Sequence, residues 1–437
     1  MELSISNYQL IIKTAPIHMI APFEKHFLAS NLFSKTYSFL CVLFLTWLLF
    51  TQIGISAPYD FKNFQSHLGR NDAAIVADSS GNILFSHNPD KELIPASTLK
   101  LLTALTTFHY LGSDYRFCTK FYLDDTSNLK IKGYGDPLLI SEVIDEISGL
   151  LAKQLKDHPK TIQNIIIDHS FFKHPIIIPG VTDSNEPYDA PNGALCVNFN
   201  TVNFKRIGES FVSAEPQTPL LPMVLNRIQS SGLTRGRIRL SLNNQETFYY
   251  AGYLFKFFLQ KNGISVKGQI KMGRVNKADQ LILSYASPFT LEHVIEKMMT
   301  YSNNFIANQI LLHTGVHLFD TPGTLKKAVA AAQSYAQEEL SEPHIRITEG
   351  SGISRKNRIS ADSMLDILNK FKPYYHLLTK EKHDIYKTGT LKDISTRVGY
   401  IQTDRASLYP YVILTNSPQK SAQRAVEELQ RILLTHE

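Results

Sequence analysis

Pro95-Ala96-Ser97-Thr98-Leu99-Lys100-Leu101-Leu102 is the stretch from which the rest of the chain can be read. A serine hydroxyl is a poor nucleophile until a neighbouring base takes its proton. On a helix, residues three apart share a face, so Lys100 stands one turn beyond Ser97 with its amine beside the hydroxyl. An amine acts as a base only after losing its own proton, which burial or a second positive charge promotes. Pro95 suits a first helical turn. Leu99, Leu101, Leu102, Ala104, Leu105 and Phe108 then make the helix apolar almost all round, which predicts burial. Ser97 is thus expected at the N-terminus of a central helix, where free backbone N–H groups and the helix dipole favour developing negative charge.

Two later fragments supply what this pair lacks. Ser302-Asn303-Asn304 offers a polar relay, and Lys387-Thr388-Gly389 offers a second cation from a strand. Taken singly, each has a mundane reading: Ser97 as a helix cap with Lys100 solvated, Ser302 and Asn304 as turn residues, Lys387 in a strand entering a turn. Their order and settings together point to an active-site serine hydrolase.

The flanks predict an antiparallel sheet covered by helices, an α+β arrangement. Asp72 to His87 reads as a hairpin about Ser79-Ser80-Gly81-Asn82. Strands are expected at Ile385 to Thr388, Ser395 to Ile401 and Tyr409 to Leu414, and an amphipathic helix at Ala422 to Leu434. Ser97 and Ser302 lie 205 positions apart, far more than a helix-to-helix connection needs. Strand-like runs fill the gap at Phe117 to Leu123, Leu129 to Lys132, Ile165 to Ile167 and Arg237 to Leu242, with helices at Ile140 to Leu155 and Ala251 to Asn262. Residues 116–284 are therefore expected to form an inserted α+β domain. Residues 58–115 and 285–437 would be the two parts of the catalytic domain.

Residues Thr36 to Tyr59 carry no charge and are followed by the small residues Gly54, Ser56 and Ala57 within the same run. Residues 1–57 read as a signal peptide cleaved near Ser56 or Ala57, or as an N-terminal anchor through which the protein would associate with a membrane. The long stretch before the apolar run also admits a start at Met19. Outside it only Cys118 and Cys196 remain, and nothing in the sequence requires them to pair. The net charge of +6 is spread without basic runs, which argues against a nucleic-acid surface. Fifteen histidines show no metal-binding spacing, so no metal and no cofactor is expected. His169 and His174 read as packing residues. Gly133-Tyr134-Gly135 reads as a turn and Ser351 as structural.

These motifs and their context resemble the D-alanyl-D-alanine carboxypeptidase/endopeptidase family of class C low-molecular-mass penicillin-binding proteins, the penicillin-binding protein 4 type. The resemblance includes Gly133-Tyr134-Gly135-Asp136-Pro137, Ile166-Ile167-Asp168-His169-Ser170-Phe171, Tyr188-Asp189-Ala190-Pro191, Asn198-Phe199-Asn200, Glu349-Gly350-Ser351-Gly352-Ile353-Ser354-Arg355 and Lys387-Thr388-Gly389-Thr390-Leu391, all in family order. It implies a β-lactamase/transpeptidase-like catalytic domain in the periplasm, acting on peptidoglycan stem peptides and acylated by β-lactams.

The resemblance also implies roles. Ser97 would be the nucleophile and Lys100 the acylation base. Ser302 would pass a proton to the leaving amine, with Lys387 tuning it, and Asn304 would hold Lys100 and the substrate amide. Backbone N–H groups of Ser97 and Thr390 would form the oxyanion hole, with Thr388 and Gly389 beside it. Asp183, Tyr188 and Arg355 would read the diaminopimelate side chain, a carboxylate for its ammonium and a guanidinium for its carboxylate. Lys392 stands where a relative has glutamine, and Asn303 where aspartate is common. Two other readings stay open on the residues alone: a β-lactamase or esterase on the same scaffold, and a non-catalytic peptidoglycan-binding protein. Oligomeric state and the balance of carboxypeptidase and endopeptidase action are not legible.

Overall fold

Two distant parts of the chain build one sheet. In this structure, a computed structural model that describes residues 59–155, 161–241, 244–404 and 406–435, the strand Ala73–Ala77 pairs with Leu408–Thr415, setting Ala74 against Ile413 and Ile75 against Val412. The signal-peptide or anchor reading concerns residues 1–57, which lie outside the described residues. The antiparallel sheet runs in the order Thr379–Glu381, Asp384–Leu391, Ile394–Gln402, Leu408–Thr415, Ala73–Ala77, Ile83–His87.

Every residue of Ala73–Ala77 is buried, because both faces of the sheet are covered. Successive side chains point to opposite faces. Ala74 and Val76 join Phe64, Ile413, Val426 and Leu429 on one side, and Ala73 and Ile75 join Leu99, Leu102, Met364 and Val412 on the other. The first face is closed by the helix Ala422–Thr435, whose buried residues Ala422, Ala425, Val426, Leu429, Ile432 and Leu433 recur at helical spacing. The second rests on Ala361–Phe371 and on Lys100–Leu111, which is buried from Lys100 through Phe108. That central helix packs on Asn304–Phe319, itself buried for most of its length. Threonines inside the central helix turn their hydroxyls back onto its own carbonyls, Thr106 to Leu102 and Thr107 to Thr103, both at 2.8 Å, and so enter the core without an unmet donor.

One local expectation is corrected. Ser97 does not sit in the first turn of an α-helix: Ala96–Leu99 form a tighter 3₁₀ turn and the α-helix starts at Lys100. Ala96 adopts φ +48°, a strained value for a residue with a Cβ and one that no right-handed helical turn admits, so the helix cannot extend back through it.

Between these two parts lies a second body with its own apolar core, in which Phe121, Ile131, Ile144, Phe204 and Phe255 meet. Its five-stranded mixed sheet is ordered Ile270–Met272, Ile165–Asp168, Leu129–Gly133, Cys118–Leu123, Gln280–Ala286. Ser210–Ser213, Thr201–Ile207 and Arg235–Arg239 form a three-stranded sheet beside it. The helices Ser141–Gln154 and Asn244–Lys261 pack together; the latter starts several residues before the expected Ala251, since burial of Phe248 and Tyr250 outweighs the weak helix preference of aromatic residues. The chain leaves and re-enters at one point, where Ser287 N donates to Phe117 O at 2.7 Å and Arg116 to Ser287 O at 3.0 Å. Cys118 and Cys196 are free thiols. Among the described residues no helix is long and apolar enough to cross a membrane.

Candidate active site

Three elements converge where the 3₁₀ turn meets the sheet. Lys100, the first residue of the central helix and fully buried, donates from Nζ to Ser97 Oγ at 3.0 Å, to Asn304 Oδ1 at 2.8 Å and to the Ser351 carbonyl at 2.8 Å. Asn304 Oδ1 and the Ser351 oxygen can only accept. In the neutral amine they take both N–H bonds and leave the lone pair facing the Ser97 hydroxyl. Burial is the main reason that the Lys100 pKa lies well below the ordinary lysine value. The Lys387 charge lowers it further, and Glu349 opposes both.

Lys387 comes from the strand Asp384–Leu391 and donates to Ser302 Oγ at 2.8 Å and to Thr388 O at 2.9 Å. Burial brings its pKa down to about 8. Ser302 itself has φ +48°, a second strained residue at the centre of the cleft. Asn303 caps the next helix, its side chain accepting from Ile306 N at 3.0 Å, and this leaves Asn304 as the helix's first residue with its amide toward Lys100.

Thr388, Gly389 and Thr390 pair on one side with Arg397, Thr396 and Ser395. On the other side Thr379–Glu381 covers only Asp384, Ile385 and Tyr386, so among the described residues the edge from Lys387 onward is unpaired. An unpaired edge can receive an extended peptide by strand addition. Gly389 brings this edge against the nucleophile, since a Cβ there would stand 2.7 Å from Ser97 N.

Sequence reasoning missed three contributors. Thr396 Oγ1 donates to Pro95 O at 2.8 Å and to Gly389 O at 3.2 Å, fastening the Ser97 turn to the strand, and a threonine in a strand carries no signal of this. Ser351 acts through its backbone carbonyl, invisible in a side-chain motif. The fully buried Glu349 carboxylate accepts from the backbone N–H groups of Ser351 at 2.6 Å and Gly352 at 2.7 Å, and from Asn357 at 2.8 Å, and so holds the loop that carries that carbonyl.

The structure does not bring Asp183, Tyr188 and Arg355 together by hydrogen bond or ion pair among the described residues. The Asp183 side chain is 95% exposed and lies 3.7 Å from Arg239. Arg355 donates to the Lys392 carbonyl on an exposed surface. Tyr188, half exposed, lines a cavity of about 750 Å³ that also touches Ser302, Asn303 and Asn304. His169 and His174 pack on Phe248 at ring separations of 4.6 and 4.9 Å, and burial lowers both pKa values, that of His174 to about 4. Among the described residues no group of three or more His, Cys, Asp or Glu is placed to hold a metal.

Comparison with known proteins agrees with this geometry. The model of the D-Ala-D-Ala carboxypeptidase 3 (S13) family matches residues 62–232 and 213–380. A D-alanyl-D-alanine carboxypeptidase of Actinomadura sp. (strain R39) is 22% identical over 343 residues, covering 68% of this chain and 63% of the relative. The D-alanyl-D-alanine carboxypeptidase DacB of Haemophilus influenzae is 23% identical over 403 residues, covering 77% and 83%. The chain thus spans less than two thirds of the Actinomadura relative and most of the Haemophilus one. The crystal structure of penicillin binding protein 4 from Haemophilus influenzae superposes with a TM-score of 0.67 at 19% identity, covering 86% of this chain and 98% of that one. The fold is of that type.

Proposed function

The chain belongs to the D-Ala-D-Ala carboxypeptidase 3 (S13) family, and from that premise we propose that it is a serine-type D-alanyl-D-alanine carboxypeptidase, with endopeptidase action on cross-linked strands, working through an acyl-enzyme at Ser97. The observation that carries this is the buried Lys100 amine, held between two obligate acceptors with Ser97 Oγ at its third position.

An extended wall peptide adds to the open edge at Lys387–Leu391, with its penultimate carbonyl over Ser97. Lys100 takes the Ser97 proton as Oγ bonds to the carbonyl carbon. The oxyanion forms toward the N–H groups of Ser97 and Thr390, each such donor being worth about 3–4 kcal/mol. Collapse breaks the C–N bond as Ser302, backed by the Lys387 cation, delivers a proton to the leaving amine. The terminal D-alanine or the cross-linked partner departs at this step, and the proton that Lys100 took from Ser97 replaces the one Ser302 gave up, so that Lys100 is neutral again. Water then attacks the Ser97 ester, its proton goes to Lys100 and on to Ser97 Oγ as the C–O bond breaks, and the shortened stem peptide is released as its carboxylate. A β-lactam acylates the same oxygen.

The two apolar cores support treating residues 116–284 as an insert in a catalytic domain formed by 58–115 and 285–437. A wall-peptide substrate implies action outside the cytoplasmic membrane. Export through residues 1–57, to the periplasm, is the matching proposal for compartment. Tyr188 is the best placed of the three proposed diaminopimelate readers, through its position on the cavity beside Asn304.

Protein lacking residues 1–57, incubated with fluorescent penicillin beside a Ser97→Ala variant, tests the reading. Stable covalent label on the first and none on the second is expected. Rapid loss of label with hydrolysed antibiotic would make the protein a β-lactamase, and absence of label on folded protein would leave a wall-binding role.

A further inference from the structure

Behind the strand that carries Lys387, on the face of the sheet turned away from Ser97, lies a buried network whose side chains have no part in the chemistry above. Asp384 opens that strand and is buried. Arg397, on the neighbouring strand Ile394–Gln402, holds its Oδ2 with two nitrogens, Nε at 2.9 Å and Nη2 at 2.6 Å. Tyr411, one strand further on, donates its hydroxyl to Asp384 Oδ1 at 2.7 Å. Three strands of the sheet are thus tied through one carboxylate. Arg397 also donates to Gln423 of the covering helix at 3.1 Å, and its guanidinium lies 3.4 Å over the Tyr386 ring.

The ladder dictates how the network is reached. Gly399 stands between Tyr386 and Tyr411, and Ile401 stands opposite Asp384. Arg397, opposite Thr388, therefore runs its side chain along the sheet past Gly399, which has no side chain to block it, to a carboxylate four positions before Thr388. Successive side chains face opposite ways, so Asp384 and Tyr386 share this face while Ile385, Lys387 and Gly389 face the cleft. A slip of one residue between the strands would carry Asp384 away from Arg397 and turn Lys387 out of the cleft.

The native register needs such a hold. Lys387 is a buried amine whose pKa burial brings down to about 8, and Lys100 of the central helix repels it when both are protonated. Both effects favour a register that releases it to water. From Lys387 onward the strand is also paired on one side only among the described residues. The network of Asp384, Arg397 and Tyr411 opposes that release, because its bonds form only when all three strands are in step. Buried ionic groups that add little net stability can still specify a register.

We propose that Asp384, Arg397 and Tyr411 are positioning residues that fix the register of the strand Asp384–Leu391, and through it the place of the Lys387 amine and of the Thr390 N–H beside Ser97. The proposal rests on the peptidase reading. It gives a network on the far face of the sheet a part in acylation that is separate from its part in stability.

A triple variant, Asp384→Leu with Arg397→Met and Tyr411→Phe, removes the charges and leaves apolar groups of similar volume, an exchange that often preserves or raises stability. Its denaturant midpoint is therefore expected to stay near that of the unaltered protein. Stopped-flow acylation by a β-lactam is expected to slow about 10²-fold, the cost of a misplacement of about 1 Å. The falling limb of the pH profile should also move to higher pH, because burial alone lowers the Lys387 pKa and a loosened strand admits water to it. A merely structural network would move neither reading. Arg397→Lys keeps the charge and loses the forked grip, so it should show both changes at smaller size, and it decides the matter if the triple variant does not fold. An unchanged rate or an unmoved limb in a folded variant would overturn the positioning role and leave the peptidase intact. Unaltered protein that takes no penicillin label would overturn the peptidase reading and this role with it.

Discussion

Lys387 Nζ donates to Ser302 Oγ at 2.8 Å, and its charge helps hold the Lys100 pKa below the ordinary lysine value. The two lysines therefore play unlike parts, a cation that backs the relay and an amine that must be neutral. Acylation is expected to rise with pH as Lys100 deprotonates and to fall above about 8 as Lys387 loses its proton. In Lys387→Gln one positive neighbour is gone, so the Lys100 pKa rises and the rising limb moves to higher pH. Stopped-flow acylation by a β-lactam across pH checks this, and a rising limb that stays in place or moves down would contradict it. The same shift bears on stability. Because the folded-state pKa of Lys387 is depressed, the unfolded chain binds more protons between about 8 and the ordinary lysine value, so unfolding becomes harder as pH rises through that window.

Gly389 tests the oxyanion geometry. A Cβ at this position would stand 2.7 Å from Ser97 N and would also press on Thr396 Oγ1. Gly389→Ala should push the strand edge away from the Ser97 N–H, and loss of one oxyanion donor costs about 10²–10³ in kcat. Single-turnover acylation measures it. Full activity in the variant would remove Ser97 N from the oxyanion hole.

The sheet, its helical cover and the five residues Ser97, Lys100, Ser302, Asn304 and Lys387 were legible because each depends on side-chain type at a fixed local spacing. Alternation places Ala74 and Ile75 on opposite faces, and helical spacing places Ala425 and Leu429 against the sheet. What was hidden depends on backbone atoms and on positive φ. The Ser351 carbonyl leaves no mark in a motif, and neither do the left-handed backbones of Ala96 and Ser302. The resemblance named Asp183 and Arg355 from their positions alone, and their exposed settings follow from loop paths that a sequence does not encode locally.

Glu349 gives the opposite sign to Lys387 and so separates the two influences on the base. Its carboxylate is fully buried and accepts from Ser351 N and Oγ, Gly352 N, Asn308 and Asn357 at 2.6–3.1 Å. An amide in its place, Glu349→Gln, turns an N–H₂ toward groups that are themselves donors, and losing charge-assisted bonds of this kind costs about 1.5–3 kcal/mol each. Denaturant unfolding should therefore show a lower midpoint. Where the variant remains folded, Lys100 has lost the one charge that raises its pKa, so the rising limb of acylation moves to lower pH, against the direction expected for Lys387→Gln. Opposite shifts in the two variants would establish that both charges act on Lys100. Shifts in the same direction would mean that the profile reports the integrity of the loop around Ser351 and not the field at the amine.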